Sequence, residues 1–280
     1  MTASANAASA GSEIVQFMTN LGEQHAEVAL REWFGSQTEV VVAFSGGADS
    51  ALLAWIANDV LGQRARVVTA ISPSLAGEEE RACRDLAANW GLRWSTVTTD
   101  EMESAAYRQN GPDRCFHCKD ALMRALAPMA DGAVVVLGVN TDDLDDYRPG
   151  QDAARMAGAL FPYVDCGIDK AMVRAISRRL GLETWDKPAM ACLASRVPHG
   201  MEVNVRVLSR VERAEIAVRR IVTGDVRVRH HGDAARIEIA VDQIPLLLSA
   251  SDVLVPQLRE LGYRYVCVDI EGFRSGSLNP

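Results

Sequence analysis

The stretch Val40-Val41-Val42-Ala43-Phe44-Ser45-Gly46-Gly47-Ala48-Asp49-Ser50, followed by Ala51-Leu52-Leu53-Ala54-Trp55-Ile56, decides the fold. The apolar run ahead of the glycine pair reads as a buried strand, and the Ala/Leu-rich residues after it read as a helix. A strand that enters a glycine turn and leaves as a helix is built to hold an anion. Gly46 and Gly47 let backbone N–H groups approach closely, Ser45 and Ser50 add hydroxyl donors, and the helix N-terminus adds partial positive charge. The turn is therefore read as a phosphate cradle. It lacks the Lys-Ser/Thr ending of a Walker loop, which sets it apart from the usual nucleoside triphosphatase pattern. The plainer reading, a glycine turn before an ordinary helix, is disfavoured because strand, loop and helix occur in the order that phosphate binding needs.

Working outward, Ile14 to Phe34 carries apolar residues at helical spacing and forms a helical lead-in without assigned chemistry. Arg66 to Ile71 reads as a second strand, Gly77 to Trp90 as a helix stopped at Gly91, Arg93 to Thr98 as a third strand and Ala133 to Gly138 as a fourth. Strands alternating with helices imply an α/β fold with a parallel sheet and right-handed crossovers, in which ligands lie at the carboxyl ends of the strands. The pattern Ser-Gly-Gly-x-Asp-Ser resembles the pyrophosphate loop of enzymes that split ATP between its α and β phosphates and adenylate a substrate. Asn140 to Gly150 leaves the fourth strand's carboxyl end, so Asp142 and Asp143 are candidates for the Mg²⁺ of bound ATP; a solvated acidic loop is the alternative.

Composition bounds the function. With 280 residues, 48% hydrophobic and 24% charged, the chain can bury a sizeable core and divides into two domains. The expected division is a disordered tail over 1–12, an ATP-binding domain over 13–199 and a small α+β domain over 200–280. The balance of 29 basic against 37 acidic residues, a net charge of −8, argues against a broad nucleic-acid surface and favours a small-molecule substrate. No apolar segment approaches the roughly 20 residues needed to span a bilayer, and Met1 to Ser12 has neither a basic region nor an apolar signal core. A cytoplasmic protein is expected, with no membrane partner.

Lys170 to Leu180 is an amphipathic helix closed by Gly181, and Trp185-Asp186-Lys187-Pro188-Ala189-Met190-Ala191-Cys192-Leu193-Ala194-Ser195-Arg196 follows. Lys187 and Arg196 bracket Cys192 with positive charge, which would raise its thiolate fraction; a buried structural cysteine is the other reading. Beyond Gly200 come a helix from Val203 to Val222, strands at Val226 to Arg229 and Arg236 to Ala240, a helix from Ser251 to Leu261 and a strand at Tyr265 to Ile270. Arg227 and Arg229 alternate with valines and so share a strand face, where they either clamp a phosphate or carboxylate or belong to a solvated edge. The chain ends in Gly272-Phe273-Arg274-Ser275-Gly276-Ser277, another Arg with hydroxyls in a glycine-rich setting.

Six cysteines in a chain of this length are too sparse for a disulfide scaffold. Cys83, Cys166 and Cys267 sit in apolar contexts and read as inert. Arg114-Cys115-Phe116-His117-Cys118-Lys119 places two thiols at the spacing that holds one metal centre. Adding Cys192 gives three thiols, enough for a [4Fe–4S] cluster with one iron left open, while zinc with His117 as the fourth ligand stays open as well.

Taken together, the loop, Arg-Cys-Phe-His-Cys-Lys, Asp-Tyr-Arg-Pro-Gly, Asp-Lys-Pro-Ala-Met-Ala-Cys-Leu-Ala-Ser-Arg and Glu-Gly-Phe-Arg-Ser-Gly-Ser resemble the LarE family of ATP-dependent sulfur transferases over essentially the whole chain after the tail. The resemblance implies synthesis of the nickel-pincer nucleotide cofactor, in which a carboxylate of pyridinium-3,5-biscarboxylic acid mononucleotide is adenylated, with release of pyrophosphate and AMP, and becomes a thiocarboxylate. It implies ATP at Ser45, Gly46, Gly47, Asp49 and Ser50, Mg²⁺ at Asp142 and Asp143, and substrate at Arg227, Arg229, Arg274 and Ser275. Cys192, with Asp49, Lys187 and Arg196, carries the chemistry. In members with a cysteine only at the position of Cys192 that cysteine gives up its sulfur, whereas with Cys115 and Cys118 also present this chain resembles the subgroup whose three cysteines hold a cluster. A homo-oligomer is expected. An amidating synthetase of the NAD synthase kind, a tRNA-thiolating enzyme and a redox or zinc-binding regulator on the same scaffold are the alternatives. Nothing here resembles the glutaminase domain expected with the first, whose ammonia transfer needs no cysteine triad; the second is at odds with the charge, and the third would need no ATP turnover.

Overall fold

A computed structural model describes residues 21–144, 149–188 and 191–274. The tail at 1–12, the first part of the lead-in and Ser275 lie outside the described residues. The elements run α1 (21–35), β1 (Val40–Ala43), α2 (Ala48–Leu61), β2 (Ala65–Ile71), α3 (Gly77–Asn89), β3 (Trp94–Thr98), α4 (Ala105–Arg108), α5 (Arg114–Ala130), β4 (Val134–Val136), α6 (Pro149–Met156), α7 (Pro162–Asp165), α8 (Lys170–Arg179), α9 (Val205–Arg219), β5 (Arg227–His231), β6 (Ala234–Glu238), α10 (Ile244–Ser249), α11 (Ser251–Glu260) and β7 (Tyr265–Val268). Strand and long-helix expectations are met within a few residues. The Cys-x-x-Cys pair opens a helix, α5, that its turn-like flanks had concealed. No helix of the described residues is long and apolar enough to cross a membrane.

Two compact units divide the chain: one holds the described parts of 1–70, 79–98 and 122–190, the other those of 71–78, 99–121 and 191–280. In the first, β1 is central to a four-stranded sheet of order β3-β2-β1-β4 and runs parallel to both β2 and β4. Its valines explain the layering. Val40 and Val42 pack with Leu30 and Phe34 of α1, with α2, and with Val173 and Ile176 of α8. Val41 points the other way, into a cluster with Leu122, Met123 and Leu126 of α5 and Ala154 of α6. A strand buried on both faces must be apolar at every position, which is why the run is uninterrupted.

The second unit holds a three-stranded sheet of order β5-β6-β7, with β5 antiparallel and β7 parallel to β6. Here alternation separates two faces. Val228, Ala235 and Ile237 join a core with Ala214, Ala217 and Val218 of α9 and Leu254 and Leu258 of α11. Arg227, Arg229, Arg236 and Glu238 therefore lie on the opposite face. A second cluster, Tyr107, Leu193, Ala194, Val197, Val203, Leu208 and Val211, joins the segment around Cys192 to α4 and α9, with Cys118 packed against it.

Candidate functional site

The loop of the first unit is folded as the cradle reading requires. Gly46 has φ +66°, and a Cβ there would sit 3.0 Å from the Cys83 sulfur, so the turn tolerates no side chain. The Ser50 hydroxyl accepts from the Ser45 N–H at 3.1 Å and donates to the Gly47 carbonyl at 3.2 Å, closing the loop on itself. No side chain caps the N-terminus of α2, where Gly47 stands as the cap residue, so its first N–H groups are left for a ligand. Gly138, just beyond β4, approaches the same turn: an added Cβ would lie 3.0 Å from the Asp49 carbonyl carbon and 3.1 Å from the Ser50 nitrogen.

Asp49 is held at three points. Its Oδ2 accepts from Lys170 Nζ at 2.5 Å, its Oδ1 from Asn140 Nδ2 at 3.1 Å, and its backbone carbonyl from the Tyr163 hydroxyl at 2.7 Å. Asp142 Oδ2 accepts from the Lys170 N–H and Asp143 Oδ2 from the Asn140 N–H, so both acidic residues stand among Asp49's partners. Their oxygens are of the hard kind that magnesium takes. Lys187 donates to the Gly46 carbonyl at 3.1 Å and to Glu79 at 3.3 Å. Lys170, Asn140 and Tyr163 were not among the sequence candidates, because each reaches the loop from far along the chain.

The cysteines gather in the second unit. Cys115 and Cys192 are exposed and Cys118 is partly buried. Burial pushes the Cys118 thiol up to about 12, the charges of Cys192, Glu101 and Cys115 add to this, and Lys119 opposes it. The two segments are joined by residues the motif reading missed. Asn110, buried with φ +57°, donates from its amide nitrogen to the carbonyls of Val197, Pro198 and Met201 at 3.1, 2.8 and 3.0 Å. Arg114 donates to the Asn110 amide oxygen and, at 2.9 Å, to the Ala194 carbonyl. The Asn110-Gly111-Pro112 sequence was a turn signal that could have drawn attention to this joint. Tyr107 is buried beside it, its ionisation pushed up by burial and by the charge of Cys192 against the pull of Ser74.

Around Cys192 the backbone is fixed and the thiol is presented. Its carbonyl accepts from the Ser195 hydroxyl at 2.7 Å and from Arg196 at 2.9 Å. The Arg196 guanidinium is also bonded to the buried Glu215 at 2.9 Å. Arg196 thus serves the peptide of Cys192, with its charge balanced by a carboxylate. His117 pairs with Asp113 at 3.2 Å. Among the described residues no three His, Cys, Asp or Glu side chains are gathered closely enough to hold a metal ion. In donor type the three thiols fit a soft centre, and their charges bear on one another, but as placed they are not closed into a ligand set.

Arg227 and Arg229 share the polar face of the sheet and are only 4% and 5% exposed, which removes the solvated-edge alternative. Arg229 donates twice to Glu238, at 2.9 and 2.7 Å, and once to the Ser195 carbonyl at 3.1 Å, tying the sheet to the Cys192 turn. Arg227 differs. It lies over the Phe273 ring and bonds the Val226 carbonyl, and its ion-pair contact among the described residues, Asp225, is 3.8 Å away. Burial and the nearby Arg196 make its charge harder to keep, a setting that favours an anionic ligand. Arg274 is exposed and pairs with Glu271 at 2.8 Å. Cys83 is buried as expected, whereas Cys267 is exposed because it lies opposite Arg236 on the polar face of the sheet.

Comparison with known proteins agrees with this geometry. Residues 29–129, which carry the loop, match the NAD synthase family. The chain is 37% identical over 244 residues to the pyridinium-3,5-bisthiocarboxylic acid mononucleotide synthase of Lactiplantibacillus plantarum, covering 86% of this chain and 88% of that protein. It is 44% identical over 255 residues to an uncharacterized protein of Synechocystis, covering 89% and 95%, and 26% identical over 249 residues to one of Methanocaldococcus jannaschii, covering 88% and 94%. With a phosphate cradle in one unit, an anchored and exposed cysteine in the other, and this extent of identity, the chain belongs to the LarE family of ATP-using sulfurtransferases.

Proposed function

We propose that the chain adenylates a carboxylate of pyridinium-3,5-biscarboxylic acid mononucleotide and converts it to a thiocarboxylate for nickel-pincer nucleotide cofactor synthesis. The observation that carries this reading is the turn at Cys192. Its thiol is exposed, its carbonyl is anchored by Ser195 and Arg196, and Arg229 bonds the Ser195 carbonyl of the same turn. A sulfur nucleophile and anion-binding guanidiniums thus meet in one unit, as a transfer of sulfur to an anionic substrate requires.

In the first half-reaction a substrate carboxylate oxygen attacks the α-phosphorus of ATP and pyrophosphate leaves. Ser45, Gly46, Gly47 and Ser50 receive the pyrophosphate through N–H and hydroxyl groups, and Asp142 and Asp143 serve Mg²⁺. In the second half a sulfur nucleophile attacks the acyl carbon and the bond to AMP breaks, since adenylation has made AMP a good leaving group. Arg227 and Arg229, with Arg274 and Ser275, hold the phosphate and the second carboxylate. Cys115, Cys118 and Cys192 would hold a [4Fe–4S] cluster, which supplies a reusable site for sulfur when bound. The open arrangement of the three thiols favours one second reading, a single transfer of the sulfur of Cys192 itself.

Iron and acid-labile sulfide analysis of protein prepared without oxygen, followed by mass spectrometry after turnover, tests both readings. The cluster reading expects brown protein with about four irons per chain and an intact Cys192 after turnover. Colourless protein that makes one thiocarboxylate per chain and leaves Cys192 as dehydroalanine would establish the single transfer instead. Transfer of ammonia rather than sulfur would overturn the proposed function altogether.

A further inference from the structure

The pyrophosphate loop, Ser45 to Ser50, contains one charged side chain, and it is negative. A carboxylate and a triphosphate repel each other, so Asp49 cannot hold pyrophosphate directly. A cation between them would turn that repulsion into attraction. We propose that Lys170 is that cation: its ammonium bridges the Asp49 carboxylate to the phosphates of ATP, and Asp49 acts by orienting Lys170. The inference rests on ATP use at this loop and assigns the ammonium that a Walker loop carries within itself to the start of a helix far along the chain.

Four observations support the bridge. Lys170 Nζ lies 2.5 Å from Asp49 Oδ2, while Asn140 occupies the other carboxylate oxygen, so Asp49 has a fixed direction. The Tyr163 hydroxyl fixes the Asp49 backbone as well. The backbone of Lys170 is equally fixed: it is the first residue of α8, Asp169 caps that helix by accepting from the Met172 N–H, and Val173 and Ile176 are buried. Only the side chain has freedom, and at 32% exposure it is open to a ligand. An ammonium has three N–H donors, and Asp49 takes one, which leaves donors for phosphate oxygens without breaking the pair. Lys187, the other lysine at the loop, is held by the Gly46 carbonyl and by Glu79, and so braces the turn from outside.

The test is calorimetric titration of the full chain with α,β-methylene ATP and Mg²⁺, with thermal denaturation to verify folding. Lys170→Met is expected to weaken nucleotide binding at least about tenfold, and Lys170→Arg to keep most of it. Asp49→Asn should weaken binding less than Lys170→Met, and adding it to Lys170→Met should change little, because Asp49 acts through Lys170. The Mg²⁺ concentration for half-saturation should stay the same in Lys170→Met. Folded Lys170→Met that binds the analogue as well as the wild type would overturn the assignment. So would a Lys170→Met variant that changes only the Mg²⁺ requirement, or strictly additive effects of the two substitutions. Wild-type protein that failed to bind the analogue would instead remove ATP use itself.

Discussion

Asn110 and Arg114 clasp each other across the turn that leads into α5, and the same Asn110 side chain reaches the carbonyls of Val197, Pro198 and Met201 in the segment that follows Cys192. One buried amide therefore joins the two cysteine-bearing segments. Asn110→Ala leaves these carbonyls and Arg114 short of partners and puts a Cβ without a stabilising amide at φ +57°. A loss of about 2–4 kcal/mol in urea denaturation is expected. Asn110→Gly should lose roughly 1 kcal/mol less, since glycine accepts the left-handed backbone.

Gly138 presses against the first turn of α2. In Gly138→Ala the new methyl group would meet the Asp49 and Ser50 backbone at 3.0–3.1 Å and displace the loop. Steady-state kinetics should show a rise in the KM for ATP on the order of tenfold or more, with the KM of the second substrate unchanged. Gly35→Ala, where an added Cβ meets nothing within 4 Å, is the control and should match the wild type.

Arg227 and Arg229 share a face of β5 yet should respond differently to substitution. Arg227→Met removes a guanidinium whose ion-pair contact among the described residues is 3.8 Å away, with the charge of Glu215 also nearby, and should raise the substrate KM by about 10–100-fold, the equivalent of roughly 1.5–3 kcal/mol. Its urea midpoint should change little. Arg229→Met removes two charge-assisted bonds from the fully buried Glu238 and should cost about 2–4 kcal/mol of stability before any binding effect is measured.

The Cys83 thiol gives a pH dependence with a definite sign. Burial pushes it up to about 11 from the ordinary 9.0, against the pull of Thr69 and Lys187. Below about pH 9 the thiol is neutral whether the chain is folded or not, and its contribution to stability is fully present. Between about 9 and 11 the unfolded chain ionises and the folded chain does not, so stability falls as pH rises. Cys83→Ala should show a shallower decline over that window in chemical denaturation; an identical slope would count against the buried thiol as its source.

Legibility in the sequence followed distance along the chain. The loop was readable because its chemistry is local: glycines, serines and a helix start within eleven residues of one another, as Val40 to Ser50 shows. The central strand β1 was readable because a strand buried on both faces must be uniformly apolar. Lys170 was not, because it meets Asp49 from 121 residues away and nothing near either residue announces the pairing. The partners of Lys187 and Arg196 were not legible for a related reason: proximity in sequence to Cys192 was visible, whereas the bonds of Lys187 to Gly46 and of Arg196 to Glu215 and the Cys192 carbonyl were not. The alternation of Arg227 and Arg229 was visible, and their burial was not, since it depends on Glu238 and on Phe273.

The chain passes from one compact unit to the other five times, at about residues 70, 78, 98, 121 and 190. Neither unit can therefore be removed, exchanged or acquired by a single cut or fusion. A deletion after residue 200 would strip the Cys192 unit of its sheet and leave only its segments over 71–78, 99–121 and 191–200. Synthesis must also pass α8 before the first unit is complete, and β7 before the second is. The two units are thus inherited and synthesised as one interleaved length of polypeptide.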